Sequence, residues 1–133
     1  MQKAAGPHDV IVIAPDYLAP TFNWYYKGNL PQVTFPWGIG RLEWPDYYEL
    51  AERWQRAAEA VPATLDAVEA RLGSDGRLWL VAAPTEYPHE ETYFGQVRRL
   101  KQELDTRYRL ERAITHYRYA PEWADIYVYS RRL

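Results

Sequence analysis

Two short segments of this 133-residue chain gather the side chains best able to move a proton or hold a cation. One is "APDY", residues 14–17, with Asp16 and Tyr17. The other is "APTEYPHE", residues 83–90, with Thr85, Glu86, Tyr87 and His89. Brought together, Asp16 and Glu86 could work as an acid/base pair or share a divalent cation, with the His89 imidazole titrating beside them. The competing account is structural: acidic residues at strand ends cap helices and bond loop backbone. Residue types alone leave both readings open.

Other chemistries are excluded more firmly. A dinucleotide site needs glycines for the tight turn and for backbone approach to pyrophosphate. The first loop, "APDYLAPTF" (residues 14–22), has none, and no Walker loop occurs anywhere. "GIG" at residues 38–40 follows no buried strand and opens no helix. The two serines, Ser74 and Ser130, sit in a turn and a terminal strand, so there is no nucleophile elbow. His8, His89 and His116 have no metal-ligand spacing, and His116 reads as an ordinary strand residue. Without cysteine, disulfides and thiolate metal sites are impossible. The sequence therefore assigns no catalytic residue, no metal and no cofactor.

The segment "FNWYYKG", residues 22–28, points elsewhere. Phe22, Trp24, Tyr25 and Tyr26 cannot all face one core from a short turn. Two packed beneath the sheet and two over a neighbouring loop is one arrangement. A surface contacting sugar, lipid or protein is the other, since flat rings stack on sugars and gather at interfaces. The candidate binding residues are Asp16, Tyr17, Asn23, Tyr25, Tyr26, Glu86, Tyr87 and His89.

The elements that must position them follow from hydrophobic patterning. "DVIVIAP" (9–15) and "RLWLVAAP" (77–84) are continuous apolar runs, the mark of strands buried on both faces. Each ends in Ala-Pro, and proline cannot continue a ladder. The shared ending predicts two central strands delivering similar loops to one edge of a sheet. Between them Leu50, Trp54, Ala57, Val61, Leu65, Val68 and Leu72 trace one helix face. Pro62 predicts a kink there, and Gly73 a C-terminal cap. Residues 89–108 read as a second helix, residues 19–27 as a short helix or turn, and "PQVTF" (31–35) as a short strand towards an edge. Arg112 to Tyr119 and Asp125 to Arg131 read as a closing antiparallel hairpin.

The expected fold is a single α/β domain over residues 1–133. It is a three-layer sandwich with helices on both faces of a mixed, mostly parallel sheet, Rossmann-like or flavodoxin-like, ending in the hairpin. Right-handed crossovers favour the order 2-1-3 for the first three strands. Ligands of such sheets favour the carboxyl edge where strand order reverses, here between the first and third strands.

Sixteen basic residues against 18 acidic, net −2, supply no overall charge for counterion-release binding of nucleic acid. No run approaches the roughly 20 apolar residues of a membrane span, and residues 1–5 lack the apolar segment of a signal peptide. Six Trp, 12 Tyr and three Phe, 16% of the chain, exceed what a core this size needs. The start "MQKAAGPHDV" suits either a free-standing cytosolic protein or a domain cut from something longer.

In order and texture, "HDVIVIAPDYLAPTFNWYY" (8–26), "GRLWLVAAP" (76–84) and "ADIYVYSRR" (124–132) resemble a known domain. It is the extracytoplasmic C-terminal domain of polytopic membrane glycosyltransferases related to the dolichyl-phosphate-mannose protein mannosyltransferases. There an Asp-led first strand leads into an aromatic segment, matched here by Phe22, Trp24, Tyr25 and Tyr26. The resemblance implies a parent enzyme using a lipid-phosphate-linked sugar donor, with its catalytic acid in the membrane portion. This chain would then be a non-catalytic accessory domain on the extracytoplasmic face. Its partners would be the membrane portion of its own parent chain and a glycan or lipid-linked sugar, with no nucleic acid. A small α/β enzyme using Asp16, Glu86 and His89, cytoplasmic if free-standing, is the alternative. So is a protein-interaction module docking through residues 125–131.

Overall fold

Val10–Ala14 forms β1, and all five residues are buried. Its β-branched side chains suit a pleated strand, and they divide by parity between two apolar clusters on opposite faces. The same holds for β3, Arg77–Ala82, where Leu78, Leu80 and Ala82 face one cluster and Trp79 and Val81 the other. The computed structural model describes residues 6–14, 18–19, 22–23, 26, 28–35, 60–82, 93–119 and 122–132. Within them lie β2 (Gln32–Thr34), α1 (Ala60–Arg71), α2 (Tyr93–Arg107), β4 (Tyr108–Tyr119) and β5 (Glu122–Arg131).

The sheet is mixed and five-stranded, in the order β2-β1-β3-β5-β4. β1 pairs in parallel with β2 and β3, and β5 runs antiparallel to both β3 and β4. The expected order of the first three strands and the short edge strand are therefore observed. The sheet is less parallel than the sequence suggests, because β5 inserts between β3 and β4. This insertion also corrects the docking strand: residues 125–131 are interior, and the open edge belongs to β4. That edge carries exposed Arg109, Glu111 and Arg112 and register shifts at Leu110/Arg112 and Ile114/Tyr117, features that blunt edge pairing.

Both described helices pack on the same face. Val61, Leu65, Val68 and Leu72, followed along the chain by Val97, Leu100 and Leu104, join Val10, Val12, Leu78, Leu80, Tyr127 and Tyr129 in one cluster. Handedness explains this. The β2→β3 and β3→β4 crossovers advance in the same direction across the sheet, so right-handed connections place their helices together. The β1→β2 connection runs the other way. Its residues Leu18, Ala19, Phe22 and Tyr26 pack on the opposite face with Ile11, Ile13, Trp79, Val81, Ile126 and Val128. Of that connection, Leu18–Ala19 and Phe22–Asn23 are helical. The kink expected at Pro62 involves residues before 60, which lie outside the described residues.

The amino ends of the strands are fastened by polar bonds. Asp9 is 4% exposed and accepts from the Gly6 amide (2.8 Å), the Arg77 amide (2.7 Å) and the Trp79 indole (2.9 Å). The turn after α1 closes on the same place. The Gly73 amide donates to the His8 carbonyl (3.1 Å), and a Cβ on Gly76 would collide with that carbonyl. Gly73 thus ends α1 as expected, but the carbonyls of Leu72 and Gly73 are met by the Arg131 guanidinium at 2.9 and 3.3 Å. Arg131 also pairs with Glu69 at 3.0 Å, and the Tyr108 hydroxyl donates to the same carboxylate. Tyr108, then Arg131, hold the Glu69 carboxyl below its usual 4.5, while burial, then Glu69, raise the Tyr108 phenol.

Two outcomes follow for stability. Asp9→Ala strands an indole N–H and two amides, so urea unfolding should show a loss of about 3 kcal/mol, with Asp9→Asn losing less. The folded Glu69 carboxyl sits below its unfolded value. Its contribution is therefore complete above pH 4.5 and is lost as pH falls through the lowered folded value. Because Glu69 is 46% exposed, Glu69→Gln should flatten that acid limb by less than about 1 kcal/mol in denaturant titrations run from pH 7 to 3.

Candidate functional site

Ala14 and Ala82 are partners in the β1–β3 ladder and are the last residues of their strands. The segments that follow, residues 15–17 and 83–90, therefore depart from adjacent points about 5 Å apart. This is the position where strand order reverses, since β2 lies to one side of β1 and β3 to the other. Phe35 closes the β2 side, its amide donating to the Ile13 carbonyl at 2.9 Å. Asp125 closes the β5 side as the ladder partner of Ala82.

Of the eight candidate residues, Asp16, Tyr17, Tyr25, Glu86, Tyr87 and His89 lie outside the described residues. Asn23 and Tyr26 lie inside them, and both are buried, at 4% and 6% exposure. The Asn23 amide donates to the Ala19 carbonyl (2.9 Å) and to the Gln32 side chain (2.9 Å), and it accepts from Gln32 in return (2.7 Å). This two-way amide pair clamps the β1–β2 connection to β2. Tyr26 stacks on Phe22 with ring centroids 5.2 Å apart, and its hydroxyl accepts from the Leu30 amide at 3.3 Å. Those two rings belong to the core. The arrangement in which two aromatics of the segment pack beneath the sheet holds for Phe22 and Tyr26.

The sequence reading passed over a polar seam that ends at this edge. Asp125 is 4% exposed and accepts from the Tyr127 hydroxyl at 3.2 Å. The Lys101 ammonium of α2 stands 4.5 Å from the Tyr127 ring centre and pairs with Asp105 at 2.9 Å. Asp105 accepts in turn from the Tyr129 hydroxyl at 2.7 Å. Burial, then Asp105, raise the Tyr129 phenol, so it donates as a neutral group. The seam was legible as two patterns: Asp125, Tyr127 and Tyr129 at period two, and Lys101 with Asp105 at i,i+4. Each pattern alone reads as ordinary surface.

Chemically, the described part of the edge offers one buried carboxylate, one phenol and a backbone rim. Among the described residues no three His, Cys, Asp or Glu side chains converge to hold a metal ion. Nor is any helix among them long and apolar enough to cross a membrane. No protein-family model, curated protein or solved structure matches the chain.

The amide clamp is open to direct measurement. Asn23→Ala and Gln32→Ala should each cost about 1 kcal/mol, and the double variant should cost clearly less than their sum, since either change breaks the same pair. Additive losses in a double-mutant cycle would show that the two amides act separately.

Proposed function

We propose that this chain is a non-catalytic accessory domain of a membrane glycosyltransferase that uses a lipid-phosphate-linked sugar donor. In this reading it works on the extracytoplasmic face. The carboxyl edge of a three-layer, Rossmann-like sheet contacts the acceptor, the glycan or the membrane portion of the parent enzyme. Asp16, Tyr17, Tyr25, Glu86, Tyr87 and His89 are its candidate contact residues, and Trp24 joins them as an aromatic of the same segment. Asn23 and Tyr26 serve the fold instead, held at Gln32 and Leu30 by the start of β2.

The observation that carries the reading is the Ala14–Ala82 pairing, which launches two proline-bearing, glycine-free segments from one reversal point. A phosphate cradle needs glycine-rich backbone at that point. An aromatic and carboxylate rim suits hydroxylated, flat-faced ligands. The resemblance in the segments 8–26, 76–84 and 124–132 supplies the enzyme class.

One observation favours a second reading. Asp125 adds a buried carboxylate to the edge where Asp16 and Glu86 would act, as a small α/β enzyme would require. One assay separates the two. The purified chain, given short-chain lipid-phosphate-linked sugars and divalent cations, should release no sugar above the blank. Turnover abolished by Asp16→Ala or Glu86→Ala would establish the enzyme and end the accessory-domain proposal.

A further inference from the structure

The sheet face opposite α1 and α2 carries a polar row at its amino end. Arg77, Ser130 and Arg109 are direct ladder partners across β3, β5 and β4. Trp79 and Val128, each two residues along from Arg77 and Ser130, join the apolar cluster of that face, so the row shares their side of the sheet. β4 gains one residue here: Leu110 pairs with Tyr129 and Arg112 with Val128, which leaves Glu111 without a ladder partner. Bulges re-aim side chains, and the Glu111 carboxylate bridges the two ends of the row. Its oxygens are divided, Oε2 at 3.4 Å from Arg77 and Oε1 at 3.3 Å from Arg109.

Two details show that Glu111 does not fill this place completely. Both ion pairs are longer than the about 2.7–2.9 Å at which charged N–H donors usually meet carboxylates. The Ser130 hydroxyl oxygen, in the middle of the row, is covered and has no hydrogen-bond partner among the described residues. Burying a hydroxyl unpaired costs free energy, and the ladder uses only the Ser130 backbone. The other carboxylate on this face, Asp9, is committed to the Gly6 and Arg77 amides and the Trp79 indole.

We propose that the Arg77–Ser130–Arg109 row binds a small soluble phosphate monoester, whose place Glu111 takes in its absence. The phosphoryl group of a monoester has three free acceptor oxygens. Two meet Arg77 and Arg109, and the third accepts from the Ser130 hydroxyl. A carboxylate has only two, which is why Glu111 satisfies both arginines and leaves Ser130 unpaired. A phosphodiester also has two, so the lipid-linked donor of the reading above is not the ligand here. Neither the carboxyl edge nor the enzyme class enters into this assignment. Binding is weak, because Glu111 must swing aside and the Asp9 charge stays close.

The test is an amide chemical-shift titration of the full 133-residue chain with inorganic phosphate at about pH 8, where the dianion dominates. Acetate and dimethyl phosphate, at equal ionic strength, are the two-oxygen controls. Phosphate should give saturable shifts at Arg77, Arg109 and Ser130 and bind about fivefold tighter than either control. Glu111→Gln removes the competing carboxylate and should tighten phosphate about fivefold, the worth of the exposed ion pairs it releases. Ser130→Ala should weaken phosphate several-fold, leave acetate unchanged and keep the melting temperature, since the lost hydroxyl was unpaired. Three unmoved amides, controls that bind as well as phosphate, a Glu111→Gln variant that binds no tighter, or phosphate binding indifferent to Ser130→Ala would each overturn the site.

Discussion

The fold depends on how the chain enters its first strand. Asp9, one residue before β1, buries a carboxylate and returns its cost by accepting from two backbone amides and the Trp79 indole. Two of those donors belong to β3, 68 and 70 residues away. One side chain thereby joins the starts of the two central parallel strands and fixes the indole in the core. The neighbouring turn can approach the His8 backbone only because Gly73 and Gly76 have no side chain. The register set there carries along the ladder, in which Ala14 and Ala82 are partners.

The described polar bonds gather at the amino edge of the sheet. At the amino edge nearly every polar group serves the fold: Arg131 ties α1 to β5, Tyr108 and Glu69 tie β4 to α1, and Asp105 receives Tyr129 and Lys101. At the carboxyl edge β1 and β3 stop at paired alanines, and the polar seam ends at buried Asp125.

Much of this architecture is legible in the residues. The apolar runs of β1 and β3, the edge character of β2 and the closing hairpin follow from side-chain period and proline placement. The insertion of β5 between β3 and β4 does not. Period-two alternation reports which residues are buried, but not which strand lies alongside, and a hairpin on either side of β3 has the same pattern. The helices share a face because crossover direction depends on strand order, which local sequence does not encode. The site was less legible. Asn23 and Tyr26 have the residue types of a binding surface, yet Asn23 spends its amide on Ala19 and Gln32, and Tyr26 stacks on Phe22. Type reveals what a side chain can do, whereas direction is set by packing.

The central claim is that the carboxyl edge between β1 and β3 is where this domain meets its ligand. Amide chemical-shift mapping during titration with a short-chain lipid-phosphate-linked sugar tests it most directly. The account predicts concentration-dependent shifts at Ala14, Phe35, Ala82 and Asp125, with the amides of Gly73, Gly76 and Arg131 unmoved. Shifts confined to the amino edge, or none anywhere at millimolar sugar, would contradict it.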